Sequence, residues 1–479
     1  MNTILKIYNT ETKAQEGIVG PTIKLYTCGP TVYNFAHIGN FRTYVFEDLL
    51  KRSLKFFGME VIHVQNITDV EDKILITAKE KGLTLNQLTE PYIKAFFEDL
   101  EILKVEKADF YPRATDYIPE MVEIIEKLLE SGAAYRGPDE CIYYKISTFP
   151  TYGRLSHLNL ATLKPGASER LSADEYEKES VCDFVLWKSY DAKRDGEVFW
   201  ETSLGKGRPG WHIECSAMAM KILGETIDIH VGGIDNMFPH HENEIAQCEA
   251  FSGKQFVRHW IHCEHLLVDQ KKMSKSLGNF YTLRDLIKKG YKGVEIRYML
   301  LHAHYRSTLN FTFEGLDGMV HSLERLSDFV SRLQGIAHLE EANTTSSGAV
   351  HLVLQNALRE FTQSLADDLN ISSALAALFE MVRQINALAD QNKVSKKDAE
   401  ESLKLLHRIN QVLAILPLEA EDEEIPKDLQ DLLEKRQEAR KTKNWALSDQ
   451  CRDQILSRGY LIEDTPAGAR LKKKRELSS

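Results

Sequence analysis

The sequence is poor in the features that mark several large protein classes. Its 479 residues hold seven cysteines, at positions 28, 141, 182, 215, 248, 263 and 451, and none forms a C-x-x-C pair. An odd, scattered set fits neither a disulfide framework nor a finger-type metal module, so a reducing, cytoplasmic setting is expected. No run approaches the roughly 18 consecutive apolar residues that a membrane span needs. Met1 to Lys6 carries no apolar signal region, so no membrane partner is expected. Glycine and proline are also few, at 27 and 13, which excludes collagen-like and low-complexity classes. Basic charge is short as well: 60 Lys and Arg face 71 Asp and Glu, a net −11. Averaged over the chain, that balance argues against a nucleic-acid partner, because phosphate contacts need a basic face.

What remains is ordinary globular composition, 43% hydrophobic and 27% charged, with length for roughly two to four domains. Residues 23–70 read as a βαβ unit. Ile23-Lys24-Leu25-Tyr26 alternates as a strand does. Phe41, Val45, Leu49, Leu50, Leu54 and Phe57 recur at helical spacing before Gly58, and Val61 to Val64 is the next strand. Such units build parallel sheets whose ligands sit at the carboxyl ends of strands, where Cys28-Gly29-Pro30-Thr31 falls. From 116 to 205 the pattern loosens into an insertion, with Gly, Pro and Ser loops at 131–138 and 147–172. A second sheet-like stretch follows at Ile227 to Val231, Trp260 to His262 and Leu266 to Val268.

Beyond 312 the spacing turns helical. Met319, Leu323, Leu326, Val330 and Leu333 share one face, and Leu375, Leu378, Val382, Ile385 and Leu388 another, as in a small bundle. Thr344 to Gly348 reads as a loop and the acidic run Glu419 to Glu424 as a linker.

Two short motifs carry chemistry. His37-Ile38-Gly39-Asn40 lies in the turn between the first strand and its helix. Imidazole and amide groups there can donate to phosphate, and Gly39 lets a flat base approach the backbone. Alone, four residues are better read as a helix-start turn. Lys272-Met273-Ser274-Lys275-Ser276 puts two ammonium groups and two hydroxyls on one loop, able to neutralise charge on a departing pyrophosphate. Alone, a Lys- and Ser-rich loop of this kind is usually just a solvated surface loop. In this order, 235 positions apart, the pair resembles the two ATP-binding signatures of class I aminoacyl-tRNA synthetases. The flanking segments Tyr26 to Tyr33, Gly207 to Ser216 and Phe238 to Glu244 resemble the cysteinyl-tRNA synthetase family, and the likeness covers nearly the whole chain.

That resemblance implies an α/β architecture. A Rossmann-like catalytic domain is split into residues 1–115 and 206–270 around a connective insertion at 116–205. A signature loop and tRNA stem-contact region at 271–311, an α-helical bundle at 312–417 and an anticodon-binding module at 425–479 follow. It implies a ligase that activates L-cysteine with ATP to cysteinyl-adenylate and transfers it to the 3′-terminal adenosine of tRNA(Cys). In the family Cys28, Cys215, His240 and Glu244 hold one Zn²⁺, and Mg²⁺ accompanies ATP. Catalysis falls to His37, Asn40, Lys272 and Lys275. Thr31, Gly39, Asp235 and Ser276 join them around the nucleotide, and Gly29, Thr68 and Trp211 face the amino acid. A monomer is expected.

The donor set agrees with the implied metal. Two thiolates, an imidazole and a carboxylate are a borderline-soft set suited to zinc, and His240 and Glu244, four apart after Pro239, point the same way on a helix. Zinc prefers a thiolate to a hydroxyl, whereas a shape-fitting pocket separates such near-isosteres by only about 1–3 kcal/mol. No editing activity is therefore expected of the insertion.

Two positions depart from the family's pattern: Gln270 replaces a glycine before the signature loop, and Leu471 stands where a tryptophan is frequent. The tail resembles the family's anticodon module through Arg436, Arg440, Lys441, Lys443-Asn444-Trp445-Ala446, Arg452-Asp453 and Glu463-Asp464, with Leu447, Cys451 and Ile455 as a buried stripe and Gly459 as a helix stop. That tail weighs against a paralogous ligase joining cysteine to an amino sugar. The intact signatures weigh against a catalytically silent tRNA-binding paralogue. Charge is segregated: residues 435–479 carry twelve Lys and Arg against six Asp and Glu, a local +6 that leaves −17 on the first 434. Contact with tRNA is expected on the tail and on basic loops such as Lys271 to Lys275.

Overall fold

The computed structural model describes residues 3–158, 183–338, 348–418, 426–465 and 468–473. The chain divides into two compact units. One comprises Met1–Arg284, Met299–Thr312 and Gln363–Ser372; the other comprises Asp285–Tyr298, Phe313–Thr362 and Ser373–Ser479.

The first unit is built on a four-stranded parallel sheet, in the order Val257–Cys263, Ile227–Gly233, Thr22–Thr27, Glu60–Gln65. The expected βαβ unit is present, with the helix Ile38–Phe56 between its strands. The carboxyl halves of its strands are buried, Leu25 to Thr27, His63 to Gln65, His230 to Gly232 and Trp260 to Cys263, as in a sheet covered on both faces. Strand order reverses beside Thr22–Thr27: the chain steps outward to Glu60–Gln65, then returns on the other side with Ile227–Gly233. Such a switch point opens a crevice at the carboxyl ends of the strands. Cys28 directly follows one central strand there, and its backbone N–H donates to Val231 at the end of the other, at 3.2 Å.

The insertion is more regular than its sequence suggests. It forms a five-stranded antiparallel sheet, and Ala134–Arg136, inside an expected loop, is its outermost strand on one side. Gly132 and Gly137 bracket only four residues, so the turn signals outweigh the strand signal. Much of the expected loop at 147–172 lies outside the described residues. Leu266–Val268 belongs to a separate three-stranded sheet with Lys271–Lys272 and Leu309–Phe311.

The second unit holds the expected helices. In Phe313–His338 the buried stripe is Leu316, Val320, Leu323, Leu326, Val330 and Leu333, with Met319 half-buried beside it. The expected loop at 344–348 lies outside the described residues apart from Gly348, as does the acidic run at 419–424. Lys427–Lys441 and Trp445–Ser457 form a helical pair, and Tyr460–Thr465 with Gly468–Lys473 a hairpin, around Leu429, Ile455 and Leu471. Leu471 is thus a core residue. Gly459 takes a φ of +78° just beyond the second helix, as its expected stop requires. The expected stripe needs one correction: Leu447 is exposed, and Ser448 joins Cys451 and Ile455. Ser448, Cys451 and Ile455 follow the i, i+3, i+7 spacing of one helix face, and Asn444 caps the helix by accepting from Leu447 N. No helix among the described residues is long and apolar enough to cross a membrane.

Candidate metal centre and nucleotide site

Four of the sequence-selected residues converge at the switch point. Ligand atoms of Cys28, Cys215, His240 and Glu244 all lie within 4.8 Å of one another, and all four side chains are buried. Cys28 comes from the strand end, Cys215 from the helix Trp211–Leu223, and His240 and Glu244 from the first turns of His240–Ser252. The spacing of four brings His240 Nε2 to 3.1 Å from Glu244 Oε1.

The cluster fits a cation. Glu244 is fully buried, and the approach of His240 Nε2 to its Oε1 lacks hydrogen-bond geometry. Burial first, and Cys215 second, push its carboxyl well above the usual range. Cys215 is driven the other way, its thiol held down by hydrogen bonding to Cys28 and by His240, while Cys28 is pushed up by the same partner. Two thiols and a carboxylate cannot all ionise in a dry pocket without a positive charge among them. A divalent ion supplies that charge.

Sequence reasoning missed the surrounding histidines. A second set, Cys28, His230, His241 and Glu244, meets the same spacing and shares two members with the first. His230 Nε2 lies 3.0 Å from Glu244 Oε2, and His241 Nε2 lies 3.3 Å from Cys28 Sγ. Burial lowers the His230 pKa to about 3, so that ring stays neutral. Beyond them His241 Nδ1 meets His262 Nε2 at 2.9 Å, and His262 Nδ1 meets Thr10 Oγ1 at 2.8 Å. The only sequence signal was the doublet His240-His241, each within reach of Glu244 on one helix. Trp211 stacks on His240, centroids 4.3 Å apart.

The nucleotide signatures also meet. His37 is the N-cap of Ile38–Phe56: its Nδ1 accepts from Asn40 N at 3.2 Å, and its own N–H donates to Asn40 Oδ1 at 3.1 Å. A Cβ on Gly39 would fall 2.8 Å from Met273 Cε and 2.9 Å from the His37 ring, so any larger residue there would displace those side chains. The signature loop thus rests on the first signature. Ile38 N donates to the Tyr281 carbonyl at 3.0 Å, and Thr282 bridges to His37. Within the loop Ser274 N donates to Asn279 Oδ1 at 2.8 Å, Ser274 and Ser276 hydroxyls pair at 2.6 Å, and Lys272 and Lys275 are exposed. Gln270 and Asp269 have φ of +63° and +49°, which a two-residue hairpin turn demands and glycine meets most easily.

The remaining positions follow the carboxyl ends of the same strands, Gly29 and Thr31 after Thr27, Thr68 after Gln65 and Asp235 after Gly233. Gly29 N donates to Asn66 Oδ1 at 2.9 Å, and a Cβ on Gly29 would fall 1.6 Å from the Asn66 carbonyl oxygen. Thr31 bridges to Thr68, whose hydroxyl accepts from Asn66 Nδ2 at 3.2 Å. Asp235 is exposed in the turn after Gly233, and its carboxylate acts on His37.

Comparison with known proteins is decisive. Residues 15–321 match the catalytic domain of class I (C) tRNA synthetases, residues 360–417 the DALR domain and residues 422–470 the cysteinyl-tRNA ligase anticodon binding domain. A cysteine–tRNA ligase of Protochlamydia amoebophila is 60% identical over 475 residues, 98% of each chain. The chain belongs to the cysteine–tRNA ligase family. The ligase of Chlamydia muridarum is 54% identical, covering 98% of this chain and 99% of its own. A methionyl-tRNA synthetase structure from Mycobacterium tuberculosis shares the fold, with a TM-score of 0.61 at 14% identity over 82% of this chain and 88% of that one. The chain is accordingly a class I aminoacyl-tRNA ligase, and its catalytic domain is Rossmann-like.

Proposed function

We propose that this ligase activates cysteine with ATP to cysteinyl-adenylate, that Cys28, Cys215, His240 and Glu244 hold a zinc ion selecting the substrate thiol, and that tRNA(Cys) receives the aminoacyl group. One observation carries this reading: the buried donor cluster begins at Cys28, nine residues before the His37 cap, on the same strand-to-helix turn. Amino-acid selection and nucleotide binding then share one crevice.

Of the two overlapping donor sets, the one with Cys215 is favoured. It is softer, and the His240 ring is held by both Trp211 and His212. When bound, zinc supplies a soft centre that prefers a thiolate to a serine hydroxyl. Trp211 walls the side-chain pocket, while Gly29 and Thr68 hold the backbone of the amino acid. The carboxylate attacks the α-phosphorus of ATP, which enters with Mg²⁺, and pyrophosphate leaves.

No side chain serves as nucleophile; positioning and charge carry the step. Because Nδ1 of His37 accepts from Asn40 N, the ring's proton sits on Nε2, where it donates toward phosphate. Burial, only partly opposed by Asp235, holds that ring's pKa below the usual histidine value. Asn40 keeps its Nδ2 end for the same purpose. Thr31, Gly39, Asp235 and Ser276 border the nucleotide, and Lys272 and Lys275 neutralise the departing pyrophosphate.

The test is cysteine-dependent ATP–pyrophosphate exchange and tRNA charging, run with cysteine and with serine, before and after metal removal. Exchange with cysteine is expected to need both Mg²⁺ and the resident metal, with serine activated at least about a thousandfold less well, beyond what shape alone provides. Equal use of cysteine and serine by the metal-loaded chain would overturn selection by the cluster.

A further inference from the structure

One aromatic ring stands between the two signatures. Phe280 packs edge-on against His37, with centroids 5.2 Å apart and planes at 78°. Lys275 Nζ stands 5.4 Å from the centroid of the same ring. The ring is held on both flanks. Before it, Asn279 closes the loop, accepting from Ser274 N at 2.8 Å and donating to the Lys272 carbonyl at 3.1 Å. After it, the Tyr281 carbonyl accepts from Ile38 N, and Arg284 pairs with Glu98 at 2.7 Å.

We propose that Phe280 is a positioning residue for adenylation: its ring, braced on His37, holds the Lys275 ammonium beside the imidazole so that both reach one phosphate chain. An exposed lysine spreads over many rotamers, and an aromatic face within about 6 Å of the ammonium narrows that spread, by about two- to fivefold in population at an exposed site. The inference rests on the role given to Lys275 above. Phe280 itself touches no reacting atom; it acts through the lysine.

The test is a double-mutant cycle on the full-length ligase, read by ATP–pyrophosphate exchange. Phe280→Leu keeps apolar volume and removes the aromatic face. It is expected to lower kcat about three- to fivefold with KM for cysteine unchanged, and Phe280→Tyr to stay within about twofold of the parent. In a Lys275→Ala background Phe280→Leu is expected to cost nothing further. Should Phe280→Leu not fold, Phe280→Met is carried through the same cycle. A loss of equal size with and without Lys275, or no loss at all, overturns the proposal and leaves the role of Lys275 standing. Undiminished exchange in Lys275→Ala alone removes that role itself, and the proposal with it.

Discussion

His212 Nδ1 and His240 Nδ1 face each other at 2.9 Å in the floor of the buried cluster. One of the two nitrogens must carry the proton between them. A metal at the cluster needs His240 Nε2 bare, so the proton belongs on His240 Nδ1 and is donated to His212. In the proposed site His212 would orient the His240 ring without itself being a ligand. His212→Ala is expected to weaken metal binding about ten- to a hundredfold, measured by competition with a chromophoric chelator. Unchanged affinity would place the metal on the His230 and His241 side instead.

In the proposed reaction Lys275 is the charge with most to do at the phosphates. Removing one positioned donor from a transition state typically costs about a hundred- to a thousandfold in rate. Lys275→Ala is expected to lose that much ATP–pyrophosphate exchange while its metal content, read by atomic absorption, stays at the parent level. Metal loss in this variant would show that the substitution disturbs the fold and not the charge.

Much of this site was legible because its signals are local. The period change from Ile23 through Leu54 to Val64 marks strand, helix, strand, and the structure has all three. His240 and Glu244 were legible because a spacing of four is one helical turn. The second donor set was not. His230 lies mid-strand, where a buried histidine and a ligand read alike, and only folding brings it to Glu244. His262 and Thr10 are farther apart still in sequence. The meeting of Phe280 with His37 is tertiary as well: 243 residues separate them, and nothing in either segment encodes the contact.

Asp72 ties the insertion to the catalytic sheet. Its Oδ2 takes Lys188 Nζ at 2.7 Å and its Oδ1 takes the Arg208 guanidinium; both cations are buried. Arg208 precedes the turn into Trp211 and Cys215, so this clamp sets where those residues start. Burial alone would raise the Asp72 pKa, but the two cations outweigh it and hold it at about 2, below the roughly 3.9 of an unfolded chain. A depressed folded pKa means the contribution is complete above about pH 4 and is lost as pH falls toward 2. Asp72→Asn is expected to cost about 3 kcal/mol at pH 7 in urea unfolding, a penalty that shrinks between pH 4 and 2. A penalty constant over that range would show that shape, not charge, does the clamping.

Trp445 opens the second helix of the tail and is 60% exposed, although a core position is the commoner fate of tryptophan. The net −11 of the chain hides this region, because the +6 of residues 435–479 is outweighed by −17 upstream. An exposed indole among basic side chains suits stacking on an unpaired base, worth about 1–3 kcal/mol. Trp445→Ala is therefore expected to lower kcat/KM for tRNA charging about five- to a hundredfold, with Trp445→Phe recovering most of the loss. Exchange, which needs no tRNA, is expected to stay unchanged, because Trp445 and the adenylation crevice belong to different compact units. Raised salt should weaken the parent and the variant alike, since the ring carries no charge. Equal losses in exchange and charging would mean that Trp445 supports the fold and does not meet RNA.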